Sequence, residues 1–122
     1  MIEDVNISKI IELANKYSLK VFKYNFNTIV ELQVPCGLLG NLLIARIKYT
    51  EFNNLVKNIE MPEKYITATV YSNSVNNIEI CYQGWFDAHS LFSFERQLKF
   101  LLEDIKKCEV EFRRLELEND FK

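Results

Sequence analysis

Cys81, Asp87 and His89 fall within one nine-residue stretch. Thiol, imidazole and carboxylate are the parts of a cysteine nucleophile, its base and the group that orients the base. His89 is the single histidine of the chain. A working pair needs sulfur and imidazole within hydrogen-bond reach, and strand alternation around residue 81 assigns the sulfur to one definite sheet face. Register therefore decides whether the pair forms. No recognisable signature surrounds these residues. Asp87 or Ser90 has a simpler role as N-cap of the helix that follows, with His89 in the turn of that cap. A Cys/His-dependent hydrolase or transferase is accordingly the lowest-ranked reading.

Other chemistry is fainter still. The loop Pro35-Cys36-Gly37-Leu38-Leu39-Gly40-Asn41 lacks the spacing of a phosphate loop or a dinucleotide fingerprint, and no Lys-Ser or Lys-Thr follows it. Carboxylate pairs such as Glu103-Asp104 and Glu116/Glu118 lie beside basic residues, as on a solvated helix face. Cys36, Cys81 and Cys108 are odd in number, far apart and without a C-x-x-C, which signals neither a disulfide framework nor a zinc site. No metal or cofactor is expected. The aromatics Tyr82, Trp85, Phe86, Phe92 and Phe94 crowd the junction before the last helix. Most are core candidates, but Trp85 ends a strand, and a Trp so placed is a candidate contact residue.

The elements that must position these groups follow from composition and periodicity. With 122 residues, 48% hydrophobic and 26% charged, the chain reads as a single domain over 1–122 with one core. A net charge of −2 and a pI near 5.5 disfavour a nucleic-acid partner, which requires a basic surface. The start Met1-Ile2-Glu3-Asp4 does not resemble a secretory signal, and no stretch is long and apolar enough for a membrane span. A cytoplasmic, reduced protein is expected.

Ile7, Ile10, Ile11, Ala14 and Tyr17 make one helical face, with Asp4 or Asn6 as N-cap. Lys20–Phe26 and Thr28–Val34 alternate as half-buried strands with a turn near Asn25–Asn27, and Asn41–Tyr49 reads as a third, central strand. Thr50 is placed to cap a short middle helix with Phe52, Leu55, Val56 and Ile59 inward, stopped by Pro62. Tyr65–Tyr71 and Ile78–Tyr82 form a hairpin about a turn at Ser72–Asn77. The expected fold is α+β: an antiparallel sheet of about five strands, an N-terminal helix, a short middle helix and a long C-terminal helix.

That last helix, over 90–118, carries Leu91, Phe94, Leu98, Leu101, Ile105, Cys108, Phe112 and Leu115 at alternating gaps of three and four, an amphipathic seam about 37 Å long. With Leu98, Ile105 and Phe112 at position a, the e and g sites hold Glu95, Leu102, Asp104, Glu109, Glu111, Glu116 and Glu118 besides Gln97. Acid would face acid in a parallel homodimeric zipper, which disfavours it. From Cys108 onward the helix is charge-dense yet keeps Val110, Phe112, Leu115 and Leu117. Trp85, Phe112, Leu115, Leu117, Glu109, Glu111 and Glu116 are therefore the candidate partner-binding residues.

Element order, size, acidic pI and the lack of catalytic groups resemble the type III secretion chaperone and YbjN-like group of small α+β proteins. The closest stretch is Ile78–Lys107, where a strand ending in Tyr82-Gln83-Gly84-Trp85-Phe86 runs through Leu91 into an amphipathic closing helix. The resemblance implies a homodimer that holds an unfolded segment of another protein, and it assigns no residue a role. The chain departs from that pattern in its mild acidity and its long closing helix. The leading expectation is a non-catalytic factor that binds and masks or inhibits another protein, as mobile-element inhibitors and immunity-type proteins do. A chaperone-like homodimer comes second.

Overall fold

A computed structural model describes residues 4–24, 28–36, 40–72 and 75–120. Chain order runs α1 (Ile7–Lys16), β1 (Lys20–Tyr24), β2 (Ile29–Cys36), β3 (Gly40–Tyr49), β4 (Val56–Ser72), β5 (Val75–Ala88) and α2 (Leu91–Asp120). The strands form one antiparallel sheet in the order β1-β2-β3-β4-β5. The α+β class, the five strands and the two terminal helices are as the periodicity predicts. The expected turn at Asn25–Asn27 lies outside the described residues.

Two neighbouring rows across the sheet show how alternation makes the core. Val30, Ile47, Ile59 and Ala88 are register partners and are all buried. One step along, Phe22, Glu31, Arg46, Glu60 and Asp87 cross all five strands on the opposite, polar face. The helices cover the first face. Asn6 caps α1 by accepting the Ser8 N–H at 2.9 Å, and Ile7, Ile10 and Ala14 turn inward. Along α2 the predicted seam is buried at Phe94, Leu98, Leu101, Ile105, Cys108 and Phe112, with Leu91 and Leu115 half-buried at its ends. Ser90 and Ser93 cap this helix reciprocally: each hydroxyl accepts the other residue's backbone N–H, at 3.0 and 3.1 Å. Asp87 stays in β5.

The middle helix expected from Thr50 to Ile59 does not form. Its spacing of Phe52, Leu55, Val56 and Ile59 imitates a helical face, but the chain makes a single turn after Thr50. Asn54 then enters the left-handed region at φ 58°. Leu55 bridges back to Asn6, and the Val56 N–H bonds the Val5 carbonyl at 2.8 Å. These contacts from the N-terminus draw residues 55–56 into extended backbone. Phe52, expected inward, is 97% exposed. From Val56 the chain is strand, and it remains strand through Pro62.

Pro62 lies where pairing of β3 with β4 has already ended at Arg46–Glu60, so β4 is flanked there by β5 alone, the edge-strand setting in which a proline is found. Beyond that point β4 and β5 continue as a two-stranded arm, paired from Pro62–Trp85 to Ser72–Val75, much longer than the hairpin expected from Tyr65–Tyr71 and Ile78–Tyr82. α2 covers the edge that β3 leaves open. The Gln97 amide donates to the carbonyls of Pro62 and Glu63 at 2.8 and 3.1 Å. Asp104 accepts the Tyr65 N–H at 2.6 Å, and the Thr67 hydroxyl donates to the Cys108 carbonyl at 3.3 Å. Asp104 thus has a structural partner, where the sequence placed it on a solvated face. Asp104→Ala leaves a part-buried amide unsatisfied and should lower stability by about 1–3 kcal/mol in chemical denaturation.

α1 is tied to α2 by Glu95, whose carboxylate accepts the Tyr17 hydroxyl at 2.7 Å and the Lys16 ammonium at 3.2 Å. These two donors hold the Glu95 carboxyl below its ordinary range. A carboxyl depressed by folding stabilises the native state above its unfolded pKa, and that contribution is lost as pH falls through the folded value. Glu95→Gln should therefore lower the thermal midpoint at neutral pH. The difference from wild type should close on acidification below about pH 4.

Candidate functional site

Cys81 and His89 do not meet. Cys81 pairs with Ile66, whereas Ala88, next to His89, pairs with Ile59. Seven residues of strand, about 23 Å, lie between them. The Cys81 sulfur instead sits 3.9 Å from a Glu79 carboxylate oxygen, and the His89 N–H donates to the Ser93 hydroxyl in the cap turn. All three cysteines are free, with Cys36 and Cys108 buried and Cys81 half-buried. Burial pushes the Cys108 thiol up. Labelling with a chromogenic disulfide under native conditions should find Cys81 alone reactive, and all three thiols after unfolding; rapid native labelling of Cys108 would contradict the packing of α2.

The expected surface at the end of α2 is divided by the fold. Phe112 belongs to the domain's own core, Leu115 is half-buried, and Leu117 is exposed. Glu109 and Glu111 are half-buried, Glu116 is exposed, and Arg114 bridges Glu111 and Glu118. On the outward face Val110 and Leu117 are seven residues apart, and Phe92 lies eighteen residues before Val110, about 27 Å away. Between them the half-exposed Phe100 stands among Arg96, Lys99, Glu103 and Lys107. Apolar side chains scattered singly in this way are ordinary surface.

At Trp85 the exposed groups converge. Trp85 and Tyr82 are each about half exposed, at 48% and 49%. Residues three apart on a regular strand point to opposite faces. Here Gly84 adopts φ +73°, and its missing Cβ leaves room for the Glu63 carboxylate, which would lie 2.7 Å from a Cβ placed there. The strand rotates at this glycine and brings the two rings to 5.0 Å between centroids at a tilt of 55°. Beside them a cleft of about 330 Å³ opens between the start of β3 and the β4–β5 arm. Leu42, Leu43, Tyr65, Ile80 and Tyr82 line it, with Asn41 and Cys81. Tyr65 anchors it by donating its hydroxyl to the Leu43 carbonyl. Burial, reinforced by the charge of Asp104, pushes the Tyr65 phenol far above its ordinary value, so it remains a donor.

Backbone geometry completes the surface. The Tyr65 N–H points to Asp104, so Tyr65–Tyr82 is a pair without mutual hydrogen bonds, and the backbone groups of Tyr82 point away from β4. By the same alternation those of Ile78 and Ile80 point out as well. β5 is the last strand of the sheet, and among the described residues no hydrogen bond reaches its outer edge. Sequence reasoning singled out Trp85 as a contact residue; Tyr82 stood among the aromatics expected mostly in the core, yet is half exposed, and Ile80 and Leu43 were not connected with the site. The readable signal was Gly84 inside an alternating run, the mark of a bulge or a close approach.

Comparison with known proteins gives no matching family model, no matching curated protein and no matching solved structure. Among the described residues, no helix is long and apolar enough to cross a membrane.

Proposed function

We propose that this chain is a non-catalytic protein-binding factor that masks or inhibits a protein partner, of the kind mobile elements carry against host machinery or as immunity-type proteins. The observation that carries the reading is the Tyr82–Trp85 pair, half exposed beside an apolar cleft on the edge strand of the sheet. Aromatic side chains held in one arrangement with adjacent apolar space are what most often anchors a protein interface. The cleft supplies a pocket for the partner's side chains. Of the residues expected at the helix end, Leu117 and Glu116 remain available for a peripheral contact. Three unpaired cysteines fit a reducing compartment, and we place the action in the cytoplasm on that ground.

Quantitative affinity capture from the native host, comparing wild type with Trp85→Ala and Leu117→Ala, tests the reading. One protein retained by wild type and by Leu117→Ala but lost with Trp85→Ala supports it, provided both variants keep the wild-type circular dichroism. A partner held equally by wild type and Trp85→Ala would refute this surface.

A further inference from the structure

Strand edges in this sheet are treated unequally. β1 is five residues long and carries Lys20 and Lys23, the short and lysine-bearing form that discourages pairing. The edge of β4 past Pro62 is covered by Gln97, Asp104 and Cys108 of α2. β5 is fourteen residues long and contains no Lys, Arg or Pro. Up to Gly84 its two faces are chemically distinct: Ile78, Ile80 and Tyr82 form an apolar side, of which Ile80 and Tyr82 line the cleft, and Glu79 lies exposed on the other. Beyond Gly84, where the strand rotates, Trp85 stands beside Tyr82, and Asp87 lies exposed on the polar face.

We propose that the outer edge of β5 accepts an extended segment of the partner as a sixth strand, one that alternates apolar with basic residues. This rests on the protein-binding reading and specifies its partner. Apolar side chains of the incoming strand would lie along Ile80 and Tyr82 at the cleft. Basic ones would fall on the other face, where Glu79 and Asp87 offer carboxylates. From Glu60 to Ala88 the charged residues are Glu60, Glu63, Lys64, Glu79 and Asp87, four carboxylates against one ammonium. A second copy of the chain would bring the same excess of carboxylates to this edge, whereas a basic strand complements it.

Trp85 is the only tryptophan, so its emission reports directly on the edge. The probe is a ten-residue peptide of alternating valine and lysine, compared with its valine–glutamate counterpart and with a valine–lysine peptide N-methylated on every second amide. The lysine peptide should shift Trp85 emission to the blue, weaken with added salt, and bind at least about tenfold more tightly than the glutamate peptide. N-methylation, which removes the edge hydrogen bonds without touching the protein, should cost at least about tenfold. Tyr82→Pro, which deletes one outward N–H, should act in the same direction. Equal binding of the N-methylated peptide, preference for the glutamate peptide, or no binding of the lysine peptide would overturn strand addition. So would a sedimentation-detected dimer abolished by Tyr82→Pro, because a second copy would then hold the edge. If Trp85→Ala still releases the captured partner while the peptides fail, strand addition falls and the protein-binding reading stands. If Trp85→Ala also leaves capture unchanged, both fall.

Discussion

Phe112→Ala should lower the stability of the folded chain by about 3–5 kcal/mol. Leu117→Ala, five residues further along the same helix, should change it by less than about 0.5 kcal/mol. The contrast follows from where the two side chains point. Phe112 closes the buried seam that begins at Phe94 and runs beneath the β4–β5 arm, so its removal leaves a cavity as well as lost contacts. Leu117 is 59% exposed. The same logic governs truncation. Ending the chain after Cys108 deletes Phe112 and the half-buried Leu115 together and should destabilise the whole domain. Ending it after Glu116 should leave the denaturation midpoint nearly unchanged. Chemical denaturation followed by circular dichroism measures both, and a Phe112→Ala variant as stable as wild type would show that the helix end is not core.

Trp85→Ala should weaken the complex with the partner by about 2 kcal/mol or more, close to thirtyfold in Kd. A central aromatic anchor is worth that much because its removal leaves the partner's pocket unfilled while the surrounding contacts persist. The ring of Trp85 is held against Tyr82 before binding, so little rotamer freedom is lost on association. Tyr82→Phe keeps the ring pair and should retain most of the affinity. Gly84→Ala should reproduce much of the Trp85→Ala loss, since a side chain at φ +73° with the Glu63 carboxylate in its place forces the strand to straighten and parts the two rings. Calorimetric titration of the captured partner with the three variants reads this out. Full affinity for Trp85→Ala would remove Trp85 from the interface.

The long helix was legible because one-sided burial imposes a period that nothing else in the chain imitates: Phe94 through Phe112 keep their spacing and are buried in the structure. The strands were legible for the matching reason, as in the buried row from Val30 to Ala88. The region from Thr50 to Pro62 was misread because Phe52, Leu55, Val56 and Ile59 satisfy a helical template locally. The deciding contacts, Asn6 with Leu55 and Val5 with Val56, come from the other end of the chain. Pro62 and Gly84 look like terminators in sequence. Pro62 lies past the end of the β3–β4 pairing and the left-handed Gly84 sits where β5 rotates, so the strands pass through them. The acidic row at e and g was read as evidence against a homodimeric zipper, yet Asp104 and Gln97 serve to satisfy the backbone of β4. The site was half visible. Trp85 was conspicuous by residue type, but its pairing with Tyr82 depends on one left-handed glycine, and the cleft depends on the divergence of β3 from β4 after Glu60.

Hydrogen exchange of the β5 amides, free and in complex with the captured partner, tests the central claim most directly. In the free protein the outward amides of Ile78, Ile80 and Tyr82 should exchange quickly, while those of Cys81 and Gln83, bonded to β4, should be slow. Binding should slow the outward three and leave residues 108–118 of α2 unchanged. Unaltered exchange along β5, with new protection confined to the end of α2, would contradict it.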